Sequence, residues 1–199
     1  MCGRYVLFTD EDEDDITDLV REIQERLYGD KTVDEGAYNV LAGGEVFPSQ
    51  LAPVITSSGP RAITWGLPGF NGKGVIINAR SETVYEKPLF RSSMVSRRLV
   101  VLSHGFYEWK KAPGGKGKEK LLFNLPDTKA MYMAGLYNEY KDGSRFVILT
   151  AEANEPMKPI HNRMPVILMP SEVSDYINDN DFARELIQRV PPWVNYKAS

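Results

Sequence analysis

Short runs of β-branched, aromatic and aliphatic residues recur along the chain and predict a series of strands. After an early run at 4–8 they lie at 52–56, 62–67, 75–78, 99–102, 106–109, 121–125, 131–140, 145–153 and 166–169. The Asp142-Gly143 dipeptide between two of the longest runs predicts a type I′ hairpin turn, because both central residues of that turn need positive φ angles. The pattern favours a mixed, largely antiparallel sheet.

Helical spacing of apolar residues appears in fewer places. Asp10 and Glu13 resemble a capping box, and the apolar positions that follow have a period close to 3.6; they are Ile16, Leu19, Val20, Ile23 and Leu27. The acidic run 10–15 suits the first turn of that helix, where each negative side chain stabilises the helix by about 0.3–1 kcal/mol through its interaction with the helix dipole. Shorter helices are predicted at 81–85, 154–160, 171–178 and 182–190. The chain is therefore expected to be α+β with flanking short helices.

A length of 199 residues predicts one domain over 1–199, because domains typically take about 100–200 residues and no linker-like stretch interrupts the chain. The formal net charge of −3 argues against a broad nucleic-acid surface. Much of the acidity lies in the run 10–15, and the rest of the chain is roughly neutral to slightly basic. Any groove for DNA is therefore expected to be local.

The chain has one cysteine and therefore forms no internal disulfide. No apolar stretch approaches the ~20 residues that cross a bilayer, and none resembles a signal peptide. We expect a cytoplasmic protein, associated with the nucleoid if the source is bacterial, with no membrane partner. A monomer without an obligate protein partner is expected.

The single cysteine, Cys2, directly follows the initiating Met1. Removal of Met1 would place an α-amine, with a pKa near ~7.7–8.0, and a thiol on one residue. The neutral amine can form a Schiff base with an aldehyde, and the neighbouring thiol can then close a five-membered ring on the same carbon. From its position alone, however, Cys2 fits better with a small second residue that has no chemical role.

Four separated segments, taken in their order and spacing, give the chain a family resemblance. They are Met1-Cys2-Gly3-Arg4-Tyr5, Asn78-Ala79-Arg80-Ser81-Glu82-Thr83, Gly105-Phe106-Tyr107-Glu108-Trp109 and His161-Asn162-Arg163-Met164-Pro165. Together they resemble the SRAP (SOS-response-associated peptidase) family over residues 2–169, and the Trp65-Gly66-Leu67 and 150–154 stretches add to the likeness. The resemblance implies a β-sheet or open barrel core.

The resemblance further implies that Cys2 is the nucleophile and that Asn78, Glu108 and His161 line the pocket around it, so that the chain captures abasic sites in single-stranded DNA. Chemistry fits these roles. An abasic site is mostly a closed hemiacetal, and opening it needs the proton donor and acceptor that His161 and Glu108 can supply. Asn78 offers a donor and an acceptor without titrating. Neither a metal nor an organic cofactor is implied.

Arginines stand beside the proposed pocket residues, and a guanidinium group binds phosphate in a bidentate manner. The resemblance suggests that Arg4, Arg80 and Arg163 hold the DNA backbone. It also places Thr150 at the DNA and suggests that Trp65 or Trp109 stacks on a base or separates the strands, each stack being worth ~1–3 kcal/mol. For either tryptophan, core packing is the alternative.

Two other function classes remain open at this point. The first is an N-terminal-nucleophile peptidase or amidohydrolase, in which the Cys2 thiolate attacks an acyl carbon and the chain processes its own Met1. The second is a noncatalytic module for single-stranded DNA, in which basic and aromatic residues suffice. Arginines beside the pocket favour a phosphate-bearing ligand over a peptide.

Overall fold

The computed structural model describes residues 2–7, 21, 22, 25, 44–112, 114–126, 128 and 130–199. Most of the helix predicted from Asp10 to Leu27 lies outside these residues. The three positions of it that are described, Arg21, Glu22 and Glu25, are helical.

Five strands form one antiparallel sheet. They are β1 (Tyr5–Val6), β2 (Glu45–Val46), β9 (Gly105–Lys111), β10 (Lys118–Asn124) and β15 (Asn195–Ala198). Their order across the sheet is β15-β10-β9-β1-β2. The register runs straight across, because Tyr5 faces both Val46 and Phe106, and Phe106 faces Phe123. The short β1 is thereby held between two neighbours.

A second set of strands forms a closed ring. Its members are β3 (Leu51–Thr56), β4 (Gly59–Trp65), β8 (Arg98–Ser103), β11 (Met131–Tyr140) and β12 (Gly143–Glu152). Each pairs with the next, and the parallel pairing of β12 with β4 closes the circle. The expected α+β, largely antiparallel architecture is confirmed, and the barrel is closed where an open one was expected.

Shorter strands extend this ring or pair beside it. They are β5 (Leu67–Pro68), β6 (Val75–Ile76), β7 (Asn78–Arg80), β13 (Arg163–Pro165) and β14 (Ile167–Leu168). The parallel pairing of β7 with β12 sets Asn78 beside Ile148, and β13 pairs with the same strand further along. Residues far apart in the chain are thus brought to one end of β12.

Two apolar clusters follow from the alternation of side chains along the ring strands. Val101 and Ile148 belong to the first cluster, which also takes in one face of the five-stranded sheet, whereas Val100 and Val147 belong to the second. The second cluster is covered by α1 (Pro88–Ser96), α2 (Val173–Asn178) and α3 (Asn180–Leu186). Each large side chain buried in this way contributes about 1.5–3 kcal/mol.

The buried guanidinium of Arg98, at the start of β8, ties the helices to the ring. It donates hydrogen bonds to the carbonyl oxygens of Met94 and Val95 in α1 and of Tyr176 and Ile177 in α2. Carbonyl groups at the end of a helix lack partners within the helix, and the helix dipole favours a cation there. One side chain therefore satisfies the ends of two helices.

Local structure departs from the expectation in two places. Tyr140 pairs with Gly143, so the central residues of the hairpin turn are Lys141 and Asp142, neither of which has a positive φ. The type I′ prediction is wrong, and Gly143, with φ +121°, opens the returning strand instead. The helix predicted at 154–160 is a succession of turns, in which Lys158 N–H donates to Asn154 and His161 N–H to Met157.

Candidate active site

Cys2 lies just before β1 and is only 1% exposed. Its thiol points to the Arg4 carbonyl oxygen at an S···O distance of 3.9 Å, the length of a weak sulfur hydrogen bond. The same carbonyl accepts the Tyr107 amide of β9 at 2.9 Å. Since β1, which follows, is paired on both sides, the segment that carries Cys2 has a fixed path into the first apolar cluster.

Asn78, the first residue of β7, contacts Cys2 directly. Its side-chain amide donates a hydrogen bond of 2.9 Å to the Cys2 carbonyl oxygen. The side-chain oxygen of Asn78 is buried, and none of the described residues donates a hydrogen bond to it. An amide that is held on one side and has an open acceptor on the other can receive a further N–H or O–H donor.

Glu108 lies on β9, 6% exposed, and its charge acts on the Cys2 thiol. Burial above all, and then the Glu108 carboxylate, raise the pKa of that thiol from 9.0 to about 12. The Cys2 sulfur is therefore a neutral thiol at physiological pH. Folding thus brings Cys2 close to Asn78 and Glu108, which are far from it in the sequence.

His161 follows the turns at 155–160 and is partly exposed. Its Nδ1 accepts the backbone N–H of Arg163 at 2.9 Å and lies 3.3 Å from the Arg163 carbonyl oxygen; the shorter contact favours the tautomer with the proton on Nε2. Met157 and Ile160, in the preceding turns, pack in the same apolar cluster as Cys2. The segment that presents His161 thus adjoins the cysteine cluster.

The three arginines differ in how available their guanidinium groups are. The Arg80 side chain is exposed at the end of β7. Arg163, by contrast, is only 12% exposed and makes a bidentate ion pair with Glu82, at 2.6 and 2.8 Å, while it also donates to the Thr150 carbonyl. This pairing lowers the pKa of Glu82.

Arg4 is intermediate between these two, with 29% of its side chain exposed. It pairs with Glu45 at 3.0 Å and stacks over the rings of Phe47, at 4.2 Å, and Trp109, at 5.0 Å. The signal that would have revealed these partners is absent from the local sequence, because Glu45 and Phe47 come from a different strand and loop.

The remaining residues expected at the DNA are mostly buried. Trp65 is fully buried, where its ring stacks against Phe146 and its indole N–H donates to the Ile77 carbonyl at 3.0 Å. Thr150 is also fully buried, within β12. Trp109 is partly exposed and packs beside Tyr107. Of the two tryptophans, Trp109 is the one that a ligand can reach without rearrangement.

Tyr5 is a buried residue near Cys2 that the sequence did not single out. Its ring lies 5.2 Å from that of Trp65, and among the described residues its hydroxyl has no hydrogen-bond partner. Burial, and then the nearby Cys2 sulfur, raise the pKa of this hydroxyl well above its ordinary value. A tyrosine in a short strand is ordinary core material by pattern alone, so nothing local marked it.

The fold and this arrangement define an α+β protein with a closed barrel and a site centred on a buried cysteine near the N terminus. The chain matches SRAP, SOS response associated peptidase, over residues 1–197, and it belongs to that family.

Among its relatives are two proteins of Bacillus subtilis (strain 168). The abasic site processing protein YoqW is 33% identical over 206 residues, which cover 94% of this chain and 87% of YoqW. The abasic site processing protein YoaM is 31% identical, covering 94% and 84%. The solved structure of a phage-related protein from Bordetella bronchiseptica is 20% identical and covers 100% of this chain and 94% of its own, with a TM-score of 0.72. That likeness shows the fold.

Proposed function

We propose that this chain captures abasic sites in single-stranded DNA by forming a thiazolidine through Cys2. The observation that carries the proposal is the placement of Cys2, whose carbonyl is held by Asn78 and whose thiol is buried near Glu108. Membership of a family whose relatives are named abasic site processing proteins supports the lesion as the target.

The chemistry begins once Met1 has been removed and the amine of Cys2 is free. The amine nitrogen attacks the C1 aldehyde of the opened sugar, and loss of one water gives an imine. The sulfur then adds to the imine carbon while the thiol proton ends on the nitrogen, which closes a five-membered ring. One C–N bond and one C–S bond form, one water leaves, and no oxidant or reductant is needed.

The high pKa of the thiol suits this order of events. A neutral amine is the better nucleophile toward an aldehyde near neutral pH, while burial and the neighbouring Glu108 carboxylate both raise the thiol pKa and disfavour the thiolate. The sulfur therefore acts second, as the group that makes the adduct stable. A peptidase that uses the Cys2 thiolate as its first nucleophile needs the opposite shift of this pKa.

Ring opening and loss of water both move protons, and these are the roles proposed for His161 and Glu108. The Nε2–H of neutral His161 can donate to a sugar oxygen, and a carboxylate can take up a proton. Asn78, with its open side-chain oxygen, is proposed to orient the amine or the sugar hydroxyl.

Incubation of the Met1-processed protein with abasic and intact single-stranded oligonucleotides tests this proposal. We expect an adduct that survives denaturant, appears only with the lesion and has the mass of protein plus DNA less one water. Cys2→Ala is expected to lose this stable adduct while borohydride still traps an imine, because the amine survives. A stable unreduced adduct of Cys2→Ala at the wild-type level would rule out the thiazolidine.

The same assay separates the rival functions. A noncatalytic module binds both oligonucleotides and gives no denaturant-stable product. A peptidase releases Met1, or cleaves a peptide substrate, and gives no adduct with the lesion. Either result would replace the proposal.

A further inference from the structure

The face of the five-stranded sheet that points away from the core carries a concentration of positive charge. Residues directly opposite each other in an antiparallel pair lie on the same face. Lys120 faces Trp109, Lys118 faces Lys111, and Leu122 faces Lys197. Arg4 joins them, because its guanidinium lies over the Trp109 ring. Among the described residues of these strands, Glu45 is the one acidic side chain on this face.

Aromatic rings lie beneath the charges. Lys120 Nζ is 3.9 Å from the centre of the Tyr107 ring, and Arg4 lies over Phe47 and Trp109. Stacking of this kind holds a cation in place without neutralising it. Phe47 is 39% exposed and Trp109 is partly exposed, so rings as well as charges reach the surface.

Glu45, on the edge strand β2, bridges two of these cations. It pairs with Arg4 at 3.0 Å through one oxygen and with Lys120 through the other. A carboxylate and a phosphodiester present comparable oxygens to a pair of cations. In the free protein, Glu45 therefore holds the place between Arg4 and Lys120 that a phosphate can take.

This face also lies close to the N terminus. The Tyr107 amide donates to the Arg4 carbonyl, and Cys2 is two residues before Arg4, at the end of the sheet where β9 and β10 run on past β1. Lys111 and Lys118 are on those extensions. Cys2 packs on the core face of the sheet, so a DNA strand that leaves the Cys2 site reaches the outward face by passing this end, where Lys111 and Lys118 lie.

We propose that this outward face, formed by Arg4, Lys111, Lys118, Lys120 and Lys197 with Phe47 and Trp109, binds the single-stranded DNA flanking the lesion, and that Glu45 masks Arg4 and Lys120 until a phosphate displaces it. The surface rests on the proposed function for its ligand. It also answers the objection raised by the net charge of −3, because the basic residues are gathered on one face.

The first test is the affinity for an intact single-stranded oligonucleotide, which cannot form an adduct. Each phosphate contact on a single strand contributes about 0.7 to the slope of log K against log salt, or about fivefold in affinity at 0.1 M salt. The double variant Lys111→Gln/Lys118→Gln should lose about 25-fold at that salt and about 1.4 of slope. Lys110→Gln/Lys141→Gln makes the same change of charge away from this face and should lose little.

The second test asks whether Glu45 lowers the affinity for DNA by pairing with Arg4 and Lys120. Glu45→Gln should bind intact DNA about fivefold more tightly at 0.1 M salt, because it releases a cation for one further phosphate contact. Glu119→Gln changes the net charge equally but lies on the opposite face of β10, so its affinity should stay near that of the wild type. Thermal melting of each variant establishes that it is folded.

Equal losses in the two lysine doubles, or an unchanged or weaker affinity in Glu45→Gln, overturn the inference. These outcomes are independent of the adduct assay. If the lysine variants bind intact DNA like the wild type and abasic DNA still forms the adduct, the surface is ruled out and the proposed function is retained. If the variants show the predicted losses of affinity and salt slope but no adduct forms, the surface is retained and the proposed function is ruled out.

Discussion

The side-chain amide of Asn78 donates to the backbone carbonyl of Cys2 across 76 positions of sequence. Asn78 belongs to β7, which pairs in parallel with β12 of the closed ring. The N-terminal segment is thus positioned by the barrel as well as by its own neighbours in β1. The chemistry proposed at Cys2 would then depend on a residue that contributes no charge.

This contact predicts the behaviour of Asn78→Ala. Loss of a hydrogen bond worth about 1 kcal/mol corresponds to about a fivefold slower formation of the stable adduct, since the N terminus is less well held. Affinity for intact DNA should change much less. Single-turnover cross-linking together with equilibrium binding measures both quantities, and Asn195→Ala, an exposed asparagine on β15, is the control. An undiminished rate in Asn78→Ala would remove its positioning role.

His161→Ala and Glu108→Gln are expected to slow the reaction without altering its product. General acid–base assistance contributes about 10²- to 10⁴-fold, so each variant should lose a large part of the rate while the adduct keeps its mass. Gln at 108 retains hydrogen bonding and cannot exchange a proton, which separates catalysis from positioning. Wild-type rates in both folded variants would make these residues structural.

Substitutions of Arg80 and Arg163 are predicted to have different effects, the first on DNA binding and the second on stability. Arg80→Gln should weaken binding to all single-stranded sequences and lower the salt slope by about 0.7, because its exposed guanidinium is free to contact one phosphate. Arg163→Gln should mainly lower stability, since it breaks the bidentate pair with Glu82. Binding titrations at several salt concentrations, with urea unfolding in parallel, distinguish the two. A reversal of these phenotypes would contradict the assignment.

The Arg163–Glu82 pair also has a pH dependence. The pKa of Glu82 is lowered from 4.5 in the folded protein, mainly by the hydrogen bonds from Arg163. The stability that this pair contributes is therefore present above the unfolded pKa of 4.5 and is lost as the pH falls through the lower folded pKa. Arg163→Gln should lose less stability than the wild type over that acid range. Urea unfolding from pH 7 to pH 3 measures the difference.

Arg98→Met is expected to destabilise the protein by about 3 kcal/mol or more, because it leaves buried carbonyl groups at the ends of α1 and α2 without donors. Chemical denaturation gives the free energy of unfolding. Arg91→Met, at an exposed position of α1, is the control and should change stability by about 0.5 kcal/mol or less. Equal values for the two would show that the Arg98 network contributes nothing to stability.

The sequence predicted the strands better than their assembly. The run at 131–140 matches β11 at both ends, and most other runs match a strand within a few residues, because alternation of apolar side chains is a local property. Closure of the ring was not predicted. It depends on Thr64 and Trp65 pairing in parallel with Arg145 and Phe146, and a contact between segments so far apart leaves no local pattern.

Two of the elements that the sequence did not predict have identifiable reasons. The helix α1 begins with Pro88 at its first turn and carries several serines, and only Ser93 and Met94 are buried, so its apolar spacing is weak. Strand β15 is exposed at every residue and exists because it pairs with β10. Tertiary pairing decides such a strand, whereas intrinsic preference does not.

In the candidate site, too, some features were predicted from the sequence and others depend on contacts made only in the folded chain. Cys2, Asn78 and Glu108 were grouped by family resemblance, and the geometry brings them together. The contacts of the arginines were not predicted, because Glu45 and Glu82 meet them only after folding. The single-domain extent, the monomeric state and the roles of the individual site residues stay predictions.

The burial of Cys2 affects how readily its thiol is oxidised. Peroxide and electrophiles react with the exposed thiolate of a cysteine, and a thiol that is 1% exposed with a pKa of about 12 offers them neither exposure nor charge. Burial therefore shields the Cys2 sulfur from the oxidants that damage DNA bases, and the proposed nucleophile is kept in its reduced form until a lesion is bound.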